Sequence, residues 1–504
     1  MVGLAAADVA VAQLPVAAGG KTDRLLEFAA GLLAENERLG RENERLRGRC
    51  ERLTARVLEL EAKVEELRRQ GKRQAAPFSR GKAEEKPGRP GRRSGERYGK
   101  KGHRRPPTEV DETVEAPLAD RCECGGEIDQ VDVVCQWQEE LPEPRPIRRE
   151  IKIHVGRCRC CGKRHQGRHP YQTSDAVGAA ASMLGSRAVA LATQLNKELG
   201  LSPQKTARAL LQFGIKITPG GVVQAIARQA RRLEPTYQEL ALAVRQSRAV
   251  APDETGWRVA ARKRWLWAFV GDDGVTVYMI AGRGYEDACE ILGEDFAGVL
   301  ERDGWAPYRS FKHARHQTCY AHLLKRCGEM IEDSLAGQAR VPHAARRILK
   351  DALALRAERD AALDGDDVID AQEFGLGVTE LRERTDKLLQ LKPTHAPNRR
   401  LLEHLRTERE HMFTFLEQPG VQATNWRAEQ ALRPAIVNRK SWGGNRTENG
   451  ARTQVIAISV IRTARQQHLD PIALMAAVQC ERTPTPAPQL RIPSARSDPE
   501  LRAA

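Results

Sequence analysis

The sequence predicts a multidomain α+β protein: an N-terminal coiled coil, a small cysteine-bearing module, a helical region, and an α/β domain interrupted by a helical insertion. Three observations predict it. Leucine recurs every seventh residue from Leu25 to Leu67, and five cysteines cluster as Cys122, Cys124, Cys158, Cys160 and Cys161. Beyond residue 247, apolar strand-like runs give way to charged, helix-forming sequence. A chain of 504 residues has room for roughly two to four domains. Hydrophobic residues make up 40%, aromatics only 5% and charged residues 30%, a balance that fits helical, charge-rich domains with disordered connectors. A net charge of +15 points to a polyanionic partner. No apolar run reaches the roughly 18 residues that suggest a bilayer span, so no membrane is expected.

Residues 1–21 read as a disordered leader, since Asp8 interrupts the mildly apolar start and no basic segment precedes it. Residues 22–70 form the coiled coil. With Leu25, Leu32, Leu39, Leu46, Leu53, Leu60 and Leu67 at d, the a positions are Ala29, Asn36, Asn43, Cys50, Val57 and Val64. Leucine at d with β-branched a residues favours a two-stranded parallel coil, and asparagine at a fixes register and partner number. A homodimer or higher oligomer is expected. Residues 71–117 are a basic linker. From Arg68 to Arg105 about fifteen basic residues meet three acidic ones, too polar to fold but suited to non-specific phosphate contacts.

Residues 118–172 carry the cysteines. Cys122-x-Cys124-Gly-Gly and Cys158-x-x-Cys161-Gly are separated by about 33 residues that read as strands, with alternation over Ile147–Val155. Two turn-borne thiolate pairs make a tetrahedral Zn2+ site, their glycines freeing backbone N–H groups to donate to sulfur. Such clustering also belongs to a reducing compartment, so the cytoplasm is expected.

Residues 173–246 are helical. Ser202-Pro203 opens a helix ending at Phe213-Gly214, and Thr218-Pro219 opens another through Ala230, the outline of a helix-turn-helix that places Arg228, Arg231 and Arg232 near phosphates. The α/β domain occupies 247–322 and 395–445 around a helical insertion at 323–394. Strands over Trp265–Val270 and Val275–Ile280 flank the turn Gly271-Asp272-Asp273-Gly274. A helix over Tyr285–Leu292 and strands over Gly298–Asp303 and Arg315–Cys319 follow, a ribonuclease H-like order. Helices are expected over 446–482, the first amphipathic over Ile456–Gln467, and the Pro-rich 483–504 reads as a disordered tail.

Within this frame three carboxylates stand out: Asp253 and Asp303, each ending an apolar strand-like run, and Glu429, mid-helix on a basic segment. Two strand-end aspartates and a helical glutamate describe a site for two Mg2+ or Mn2+ ions that cuts or joins phosphodiesters. Asn425, one turn before Glu429, is placed to orient that carboxylate or a phosphate. Arg433, Arg439, Lys440 and Trp442 are candidate grips on a DNA end, with Trp442 either stacking on a base or packed. His313, His316, Cys319 and His322 form a local cluster in which His322 is read as partly buried or DNA-contacting.

Asp253-Glu254-Thr255-Gly256-Trp257-Arg258-Val259 with Trp265-Leu266-Trp267, then Asp303-Gly304-x-x-x-Tyr308 with Cys319-Tyr320-Ala321-His322, resemble two catalytic blocks of the transposases of insertion sequence sixty-six and its relatives. Asn425-x-x-Ala428-Glu429-x-Ala431-Leu432-Arg433-Pro434, followed by Arg439-Lys440-Ser441-Trp442, resembles the third. The resemblance implies a bacterial, nucleoid-associated DDE transposase. Such an enzyme nicks element ends, joins 3′-hydroxyls to target DNA, and works beside small accessory proteins. It implies an insertion domain before the last acid, and a zinc module with two C-x-x-C knuckles. This chain's first pair has one intervening residue, leaving open whether Cys135, Cys160 or His165 substitutes. A rival reading is a catalytically inactive DNA-binding protein or repressor derived from a transposase; a third is a structure-selective nuclease that cuts without joining.

Overall fold

The computed structural model describes residues 21–72, 107–117, 119, 121–128, 132–176, 183–334, 337–364 and 370–492. The expected leader, most of the basic linker, the polar break at Gly365-Asp366-Asp367 and the last twelve residues lie outside them. Two compact units divide the chain, residues 1–113 and 114–504.

In the first unit one helix, α1 (Lys21–Lys72), carries the leucine ladder. Of its d-position leucines, Leu32, Leu39, Leu46 and Leu53 face water, Leu39 at 48% and Leu46 at 51% exposure.

The second unit begins with extended chain. Alternation over Ile147–Val155 forms no strand until Val155, where β1 (Val155–Arg157) pairs antiparallel with β2 (Arg164–Gln166). Three helices follow: α2 (Ser186–Lys197), α3 (Pro203–Gln212) and α4 (Pro219–Gln246). Ser202 and Thr218 cap α3 and α4 as their Ser-Pro and Thr-Pro signatures require, and Gly214 turns between them at φ +71°. Helix α4 does not stop at Ala230. It continues through Pro235 because its next turns bury Leu233, Tyr237 and Leu240 against the sheet core.

That sheet has the order β5-β4-β3-β6-β7, with β3 (Ala249–Val259), β4 (Arg262–Gly271), β5 (Thr276–Ala281), β6 (Val299–Arg302) and β7 (Arg315–Thr318). The β3–β4–β5 meander is antiparallel, whereas β6 runs parallel to β3 and β7 parallel to β6. Between β5 and β6 lies α5 (Tyr285–Leu292), as expected. This mixed sheet with its helices is compatible with a ribonuclease H-like domain.

Helices α6 (Tyr320–Glu332), α7 (Arg340–Asp364), α8 (Ala371–Leu389), α9 (Ala396–Glu408) and α10 (Thr414–Glu417) share a second apolar cluster, with Leu349, Leu401 and Phe415 at its centre. The chain then returns to the sheet as α11 (Trp426–Trp442), α12 (Glu448–Gln466) and α13 (Pro471–Cys480). Helix α12 is not amphipathic. It is buried from Thr453 to Ile461, and its Ser459 and Thr463 hydroxyls accept from the backbone N–H groups of Tyr278 and Thr276. The start of the expected tail is also packed: Ala487 and Leu490 are buried, and Ala487 N–H donates to Thr236.

Candidate active site

Asp253, Asp303 and Glu429 lie toward one end of the sheet. Val250 pairs with Leu300 in the parallel β3–β6 ladder, and Asp253 and Asp303 each lie three residues further on. Both therefore project beyond the carboxyl end of that pair, where open α/β sheets place their ligands. Asp253 does not end its strand, because β3 continues to Val259 in register with β4. Nor is Glu429 mid-helix. It sits in the first turn of α11, where the helix's partial positive charge favours a carboxylate. The start of α6 comes to the same place, bringing His322 Nε2 to 3.8 Å from Glu429 Oε1.

Electrostatics register this convergence. The Asp253 carboxyl is pushed up to about 7 by burial and then by Glu254, Asp303 and Glu429, against one bond from the Glu254 N–H. His322 is raised to about 9, chiefly by the Cys319 thiol, with Asp303 and Glu429 adding to it. Among the described residues no three His, Cys, Asp or Glu side chains form a ready-made cage for an ion. The donors are nonetheless of the right kind: oxygen ligands whose mutual repulsion a divalent cation would relieve.

Around the acids runs a ring of charged residues that sequence reasoning missed. Glu254, 2% exposed, accepts from Tyr308 OH at 2.7 Å and pairs with Arg283 at 2.8 Å. The Arg283 guanidinium lies over the indoles of Trp265 and Trp305, 4.1 and 4.3 Å from their centroids. The first and second sequence blocks are thus tied together through Glu254 and Tyr308. Beside them, Glu301, immediately before Arg302 and Asp303, is fully buried and pairs with Arg427 at 2.8 Å, fastening the first turn of α11 to β6. Arg302 is also fully buried. It pairs with Glu408 of α9 at 2.8 Å and donates to the Asp303 carbonyl at 3.0 Å. No periodicity marks these charges as internal. The one available signal is that Glu254, Glu301, Arg302 and Arg427 each lie within two residues of a candidate acid; Arg283 and Glu408 carry none.

Asn425 caps α11, and it reaches Glu429 through its backbone carbonyl, which accepts from the Glu429 N–H at 3.3 Å. Its amide does not orient that carboxylate: it is 1% exposed and neither of its polar atoms has a partner. Arg433, one turn beyond Glu429, and Lys440 are exposed. Arg439 turns inward, donating to the Gly256 carbonyl and to Thr255 Oγ1 at 3.2 Å. Trp442 packs edge-on against Trp257 with ring centroids 6.2 Å apart. The indole left open beside Glu429 is Trp426, 47% exposed.

Cys122 and Cys124 occupy one turn, closed by Gly125 N–H to Cys122 O at 2.8 Å. Cys158 and Cys161 occupy another, at the β1–β2 connection, closed by Gly162 N–H to Cys158 O at 2.9 Å. Backbone N–H groups and the neighbouring thiol hold Cys124 and Cys158 below the usual thiol range, as metal-binding turns do. Among the described residues the two pairs do not form a ready-made metal cage.

No curated protein matches the chain. A model of the Transposase IS66 family matches residues 181–453, more than half its length. That stretch holds the helical region, the five-stranded sheet and all three acids, and the chain belongs to the Transposase IS66 family.

Proposed function

We propose that the protein is a DDE transposase that nicks DNA at element ends and joins the freed 3′-hydroxyl to target DNA. The observation that carries this reading is geometric: Asp253 and Asp303 lie three residues beyond the paired Val250 and Leu300, and Glu429 sits in the first turn of the helix that Arg427–Glu301 fastens to the same strand. Asp253, Asp303 and Glu429 would hold two Mg2+ or Mn2+ ions, which when bound supply Lewis-acid stabilisation of the attacking and leaving oxygens. The protein's own part is positioning. The β3–β6 pair fixes the two aspartates at one level, and Arg427–Glu301 holds the turn that bears Glu429. Exposed Arg433 and Lys440 are suited to DNA phosphates, and Trp426 to stacking on an unpaired base. Arg439 and Trp442 act instead by bracing α11 against β3.

Two further assignments belong to the same reading. The water-facing leucines of α1 pair two copies of the chain, as holding two DNA ends at once requires. Cys122, Cys124, Cys158 and Cys161 hold a structural Zn2+, their two turns brought together by the ion.

The test is Mg2+-dependent processing of a duplex carrying the inverted repeat that borders the reading frame. Wild type should nick it and yield strand-transfer products from a supplied 3′-hydroxyl end. Asp303→Asn should bind the duplex and do neither. Equal binding with no nicking by either protein would favour a DNA-binding protein, and cutting without joining would favour a plain nuclease.

A further inference from the structure

Behind α11, roughly opposite Glu429 on the helical wheel, a half-open cavity of about 60 Å³ lies between Tyr278 of β5, the Ala431–Pro434–Ala435 face of α11, Ile461 of α12 and the end of α2. Its polar lining is unbalanced. Lys197 is only 8% exposed, and its ammonium meets the face of Trp442 at 5.6 Å. Among the described residues no carboxylate pairs with it. Arg462 also lines the cavity, and its Nε is buried without a partner. The one acid present, Glu198, is already engaged by Arg465 at 3.2 Å and by Gln194 at 2.7 Å. Lys197 and Arg462 are therefore left facing a small space whose one carboxylate is already paired.

A buried cation without a partner is costly, and a bound anion removes that cost. We propose that this cavity is a binding site for one phosphate-type oxyanion, held by Lys197 Nζ and the Arg462 guanidinium. A half-open space of about 60 Å³ has room for a tetrahedral oxyanion. Burial lowers the Lys197 amine to about 8, so an anion would also restore its full charge. The oxyanion is either free phosphate or the terminal phosphate of a nucleotide. The proposal stands apart from the three acids and holds whether or not they cut DNA.

The experiment is thermal unfolding of the full chain in chloride buffer, read by tryptophan fluorescence. The probes are inorganic phosphate, deoxyadenosine 5′-monophosphate and deoxyadenosine. Millimolar phosphate should raise the wild-type midpoint by several degrees, and deoxyadenosine should leave it unchanged. Equal shifts with phosphate and the monophosphate identify the free ion; a larger shift with the monophosphate identifies a nucleotide end. Lys197→Met should melt higher than wild type without phosphate and gain nothing from it, whereas Lys216→Met, which removes an exposed charge, should respond as wild type does. Should Lys197→Met fail to fold, Arg462→Gln reads the same loss of response. No wild-type shift with either phosphate probe, an equal shift with deoxyadenosine, or an undiminished response in the cavity variants would overturn the proposal.

Discussion

Replacing Glu408 by glutamine removes the charge that compensates Arg302 inside the protein. Both side chains are fully buried, 2.8 Å apart, and Arg309 reaches the same carboxylate at 3.3 Å. After Glu408→Gln, Arg302 keeps only uncharged acceptors: the new amide oxygen, His316 Nδ1 at 3.2 Å and the Asp303 carbonyl at 3.0 Å. Breaking a buried pair from one side costs roughly 3–5 kcal/mol, because the remaining ion is left desolvated and unpaired. In a unit of about 390 residues each kcal/mol moves the unfolding midpoint by about 1 °C, so the expected fall is roughly 4–6 °C. Tryptophan fluorescence at a fixed scan rate reads it, since six of the seven tryptophans lie between Trp257 and Trp442. The double change Arg302→Met with Glu408→Leu should recover most of the loss, as both desolvation costs vanish together. A single variant melting within about 2 °C of wild type, or a double variant no better than the single, would refute the reasoning.

Gly444 holds φ +121°, and a Cβ there would lie 2.4 Å from the Arg258 carbonyl. Gly444→Ala should therefore cost about 2 kcal/mol or more in urea unfolding, whereas Gly420→Ala, at φ +85° with open space around it, should cost only the backbone strain of about 1 kcal/mol. His316 is lowered to about 4 by burial and then by Arg302 and His411. The unfolded chain takes up that proton below about pH 6.5 and the folded protein does not until about 4, so stability falls across that window as pH drops, by about 2 kcal/mol. The fall should shrink in His316→Gln, measured as unfolding free energy at pH 7 and pH 4.5; parallel profiles would contradict it. Lysine at both Leu39 and Leu46 should halve the mass seen by sedimentation, and an unchanged mass would exclude the zipper as the pairing element.

What could be read from the sequence depended on whether the cause was local. Proline and glycine signals placed the starts of α3 and α4, and β-rich apolar runs placed β4, β5 and β6, because caps, turns and short apolar runs act over a few residues. The β3–β4 turn escaped notice because it uses Ala260 and Ala261 at φ 48° and 64°, where the usual residues are Gly or Asn. Its conformation is braced from afar by the Ala260 N–H bond to the Asn445 carbonyl at 2.9 Å. The length of α4 was hidden by Pro235, whose lost hydrogen bond is outweighed by packing on the sheet. The three acids were singled out by residue type and block order. The pairs that steady them, Glu301–Arg427 and Arg302–Glu408, join residues more than a hundred positions apart. Nothing along the chain distinguishes those charges from solvated ones. Trp442 and Arg439 looked like DNA contacts for the same reason: composition gives their chemistry but not their direction.

The claim that Asp253, Asp303 and Glu429 act as one site is tested most directly by single-turnover nicking of the element-end duplex. The proteins compared are Asp253→Asn, Asp303→Asn, Glu429→Gln and the three pairwise combinations. Each single change should lower the rate at least a thousandfold with duplex binding retained, and the pairs should lose little more than the singles, as groups acting together do. A Glu429→Gln protein that nicks within a few-fold of wild type would contradict the account.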